Sequence, residues 1–67
     1  MDNDMMEKIE LLKRELFMDG SNAIEAFIDY ELDENESDDV VERRMDVAID
    51  CMSKDELGVW FEKYGIA

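Results

Sequence analysis

Met5, Ile9, Leu12 and Leu16 stand three or four positions apart, and no proline anywhere in the 67 residues breaks such a pattern. The spacing matches the period of an α-helix, about 3.6 residues per turn, and not the two-residue repeat of a strand. It predicts a first helix from about Asp4 to Met18, with Leu11 and Phe17 widening its buried face. Asn3 or Asp4 can cap its start, and Gly20 suits the left-handed residue that ends such helices. A second helix begins at "SNAIEAF", where Asn22 and Glu25 have the spacing of a capping box and Ala23, Ile24, Phe27 and Ile28 supply the buried side. Tyr30 and Leu32 can extend it.

The apolar period then stops until Ser37 or Asp38, either of which can cap a third helix carrying Val41, Met45, Ala48, Ile49 and Met52. Val40, Val47 and Cys51 form a second stripe on that helix, so it is expected to be central, with neighbours on two sides. In "SKDE", Ser53 and Glu56 fit a reciprocal capping box, and Leu57, Trp60, Phe61 and Tyr64 share one face before Gly65. No strand-like alternation, hairpin turn or internal repeat is present. The expected fold is all-α, a small bundle of three main helices plus a short C-terminal helix, forming one acidic domain over residues 1–67. Its expected core is Ile9, Leu12, Leu16, Ile24, Phe27, Ile28, Met45, Ile49, Trp60 and Phe61.

A chain 46% hydrophobic with three glycines is too apolar and too free of breakers to stay disordered. One cysteine, Cys51, cannot form an internal disulfide, and no apolar run is long enough for a signal peptide or a membrane span, so a cytoplasmic location is expected. The net charge of −13 is concentrated in the middle of the chain: residues 21–42 hold nine acidic side chains and no basic one. Such a chain is repelled by nucleic acid and anionic lipid, both of which are bound through Lys and Arg. No direct nucleic-acid or membrane contact is expected. With no histidine, no Gly-rich phosphate loop and no nucleophile beside a base, the chain does not read as an enzyme, and no cofactor is implied.

The acidic stretch itself, "DYELDENESDD", has several readings. A calcium loop beginning at Glu31 would place Asp33, Asn35, Asp39 and Glu42 at ligand positions, but Glu36 would stand where glycine makes the sharp turn, and Asp38 where an apolar residue belongs. Beginning at Asp33 repairs the second fault with Val40 but puts Arg44 in place of the bidentate glutamate. Neither frame works, and no metal site is expected beyond a degenerate helix-loop-helix. A solvated face would keep the chain soluble, but crowding like charges costs stability unless something positive neutralises them.

Carboxylates three or four positions apart on a helix lie about 5–6 Å from one another, comparable to phosphates along a nucleic-acid strand. Asp29, Asp33, Glu36 and Asp39 have that spacing if helix continues through the run, and Glu25 extends the row. In size, charge and lack of histidine the chain resembles the phage and mobile-element inhibitors that occupy DNA-binding sites of host enzymes; the resemblance is compositional and carries no family residues across. It implies an inhibitor or modulator that fills the basic, nucleic-acid-binding groove of a partner protein or complex. The expected contact residues are Glu25, Asp29, Glu31, Asp33, Glu34, Glu36, Asp38, Asp39 and Glu42. The alternative is a helical association module, homodimeric or joined to another protein through an apolar, methionine-rich interface, since the chain has six methionines and a small core is often completed by oligomerisation.

Overall fold

The computed structural model describes residues 3–66. Among them the chain forms four helices and no strand: α1 Asn3–Asp19, α2 Ser21–Ile28, α3 Asp38–Cys51 and α4 Lys54–Lys63. The all-α bundle expected from the sequence is what forms.

Both later caps fall where the sequence places them. The Ser37 hydroxyl accepts the Val40 N–H at 3.4 Å to open α3, and the Ser53 hydroxyl accepts the Glu56 N–H at 3.2 Å to open α4. Each satisfies one amide left over at a helix start. Past the end of α4, Gly65 takes φ 69°, the Gly65 N–H bonds the Glu62 carbonyl and the Ile66 N–H bonds the Phe61 carbonyl. This paired closure uses glycine where a side chain would be strained, and it turns Ile66 back against the core.

The start of the chain departs from expectation. Asn3 is already helical, so neither it nor Asp4 is the cap. α2 begins one residue before Asn22, with Gly20 at φ 112° as its cap residue and no side-chain cap bond. The Asn22–Glu25 box therefore does not form, because the Glu25 carboxylate is used elsewhere: it accepts the Leu32 N–H at 2.8 Å. Nor does α2 run on through Tyr30 and Leu32. It stops at Ile28, and Asp29 enters the left-handed region at φ 55°.

The buried core comprises Ile9, Leu12, Leu16, Ile24, Phe27, Val41, Met45, Ile49, Leu57 and Phe61. Eight of these were expected; Ile28 and Trp60 are only half-buried, and Val41 and Leu57 are the buried additions. Trp60 still packs, meeting Phe27 edge to face with ring centroids 5.0 Å apart. Short α2, rather than α3, is the central element: it lies against α1 and α3 and reaches α4 through that ring pair. No helix covers the second stripe of α3, and Val40, Val47 and Cys51 are exposed. At the far end the Tyr64 hydroxyl donates to Asp19 at 2.8 Å, tying α4 to the end of α1.

Candidate partner-binding surface

The acidic stretch runs from the end of α2 through the loop 29–37 into the first turns of α3. Continuing α2 through it would have stacked carboxylates at i, i+4 beside the negative end of a helix dipole, both unfavourable. The chain instead leaves the helix at Asp29, makes a turn in which the Glu36 N–H bonds the Asp33 carbonyl, and restarts at Ser37. The helical row of Asp29, Asp33, Glu36 and Asp39 therefore does not exist; these residues lie on a loop and a separate helix.

The nine expected contact residues divide into two groups. Three are engaged within the fold. Glu25, half-buried, holds the loop through Leu32, and Glu42 lies 3.2 Å from Lys13. Glu36, its side chain 14% exposed, meets Arg44 at 2.8 Å. Arg44 also lies over the Tyr30 ring, 4.2 Å from its centre, so one guanidinium clasps both ends of the loop to α3. The hydrogen bond that Arg44 donates to Glu36 is the main cause holding the Arg44 pKa above its ordinary value. Only one of the two bonds of a fork-on-fork pair is made, and Glu36 Oε2 and Arg44 Nε are buried with no hydrogen-bond partner.

The other six, Asp29, Glu31, Asp33, Glu34, Asp38 and Asp39, are exposed and make no ion pair among the described residues. Asp38 and Asp39 sit in the first turn of α3, where the helix dipole favours negative charge. Beside the loop is a depression of about 440 Å³ lined by the apolar Phe17, Ile24, Leu32 and Val41, by Ser21, and by the acidic Glu25, Asp33, Glu34, Glu36 and Asp38. Apolar and acidic side chains in one depression have the chemistry to receive the stem and the charge of a long basic side chain. Among the described residues no three acidic or cysteine side chains come together in a group that could hold a metal ion.

Two features were not read from the sequence. Lys13 is buried in the wall between α1 and α3, with Asp46 at 3.0 Å, Glu10 at 3.1 Å and Glu42 at 3.2 Å. On the opposite side of α3, Ile28, Tyr30, Val40, Val47, Ala48 and Cys51, with Arg43 and Arg44, line an apolar groove of about 570 Å³. The exposed second stripe of α3 was the signal for that groove; only the expectation that a neighbour would cover it failed.

Among the described residues the methionines do not gather into one interface: Met5, Met45 and Met52 lie in or against the core, while Met6 and Met18 are exposed on α1. No described helix is long and apolar enough to cross a membrane. No family model matches the chain, and no curated protein or solved structure is significantly similar to it.

Proposed function

We propose that this protein binds a basic surface of another protein, one that ordinarily holds nucleic acid, and inhibits or modulates that partner by charge mimicry. The observation that carries the reading is the group of six exposed carboxylates between Asp29 and Asp39, which no basic side chain among the described residues pairs with. Because they occupy a loop and one helix start, the mimicry is of charge density and not of a regular phosphate ladder. The depression beside the loop adds a place for a lysine or arginine stem, and so favours a protein partner over a diffuse counterion cloud. A second reading, a helical association module, is favoured by the exposed apolar groove on α3.

The test is capture of partners from a lysate at low and high salt, followed by competition with duplex DNA. The mimic requires nucleic-acid-binding proteins that DNA displaces and salt releases. Glu31→Lys, Asp33→Lys and Glu34→Lys together should weaken the complex more than about tenfold, or about 1.4 kcal/mol, and flatten its salt dependence. Glu36 is left in place because it holds Arg44. A triple variant that bound as tightly as the original in low salt would end the mimic reading.

A further inference from the structure

We propose that the exposed face of α3 is a homodimer seam, occupied by α3 of a second copy running antiparallel. Val40, Arg44, Val47 and Cys51 follow one another at intervals of four, three and four residues, the spacing of the a and d positions of a coiled coil. Val40 and Val47 are 39% and 58% exposed, so the row is left open beside Ile28 and Tyr30. Arg44 stands in that row, but its charge is already met within the chain: the guanidinium pairs with Glu36 and stacks on Tyr30, which lines the same groove.

The charges select both occupant and direction. Arg43 and Asp50 lie seven residues apart along one flank of the seam, the positions that face each other across an antiparallel pair. A two-fold axis therefore makes two Arg43–Asp50 contacts between copies, from one patch matched to itself. A parallel pair would instead set each residue level with its own copy, and neither Arg43–Asp50 contact would form. The groove lining contains two arginines and no acidic residue, so on a chain of net charge −13 this face can meet its own copy with little repulsion.

In the antiparallel register Val40 packs opposite Cys51 of the second copy, whereas the two Cys51 residues are about 16 Å apart along the axis, beyond disulfide reach. Val40→Cys should therefore cross-link into a covalent dimer under mild oxidation; the wild type and Val40→Cys/Cys51→Ser should not. Sedimentation at high micromolar concentration, in about 0.5 M salt to screen net repulsion, should give a dimer mass. Val47→Glu should raise the dissociation constant by about a hundredfold while leaving the helical circular dichroism unchanged. Arg43→Asp should weaken the dimer about tenfold, and Arg43→Asp/Asp50→Arg should restore it. A monomer mass under these conditions would overturn the proposal and leave the seam to a helix of another protein. A dimer indifferent to Val47→Glu, or one that Val40→Cys does not cross-link, would overturn it as well.

Discussion

Lys13 is the residue on which the joint between α1 and α3 most depends. Burial works against its charge, but the hydrogen bonds it donates to Asp46, Glu10 and Glu42 outweigh that cost and hold its pKa above the ordinary 10.5. A lysine whose pKa is raised by folding contributes stability that is complete below the unfolded value and fades as pH climbs past it. Its partners are half-exposed, so water screens much of each attraction, and its buried stem matters as much as its charge. Lys13→Ala is expected to lower stability by about 1–2 kcal/mol in urea unfolding, and Lys13→Met, which keeps an apolar stem, by less than half of that. The difference between wild type and Lys13→Met should shrink above pH 10.5, the ordinary lysine value; one that stayed constant there would mean that packing alone sets the cost.

At the scale of the elements, α4 carries a correctable weakness. Gly58 sits inside the helix without positive φ, and a methyl added there would meet no atom within 4 Å. Gly58→Ala should stabilise the protein by about 0.5–1 kcal/mol, raising the melting temperature by about 4–8 °C per kcal/mol. Ser37, Ser53 and Gly65 could be read from the sequence because a cap is decided within three or four residues. The apolar face of α1 was legible for the same reason. The Asn22–Glu25 box failed because the Glu25 carboxylate answers to Leu32, seven positions on and outside the helix. Lys13 was invisible because two of the carboxylates that accept its hydrogen bonds lie 29 and 33 positions away. In the acidic stretch the charge was plain, but which carboxylates the fold consumes depended on where Arg44 and Lys13 arrive. Periodicity could mark the second stripe of α3 as apolar; it could not say that no helix would cover it.

For the whole molecule, the uncompensated charge acts against compactness. Screening should relieve it, so going from low salt to about 0.5 M NaCl is expected to raise the melting temperature by several degrees. A melting temperature that fell with salt would show that the Lys13 and Arg44 ion pairs outweigh the net repulsion. The arrangement of the helices has a kinetic consequence too. α1 and α2 are joined by the single residue Gly20, and α3 and α4 by Met52 and Ser53. Each of these joints spans little chain, so helix packing can begin before much freedom is lost; mostly local helical topologies of this kind fold in microseconds to milliseconds. A chain that refolds so quickly exposes its apolar faces only briefly, and its like charge keeps unfolded copies apart during that interval. The same acidic surplus that weakens the native state thus protects the nascent one from aggregation.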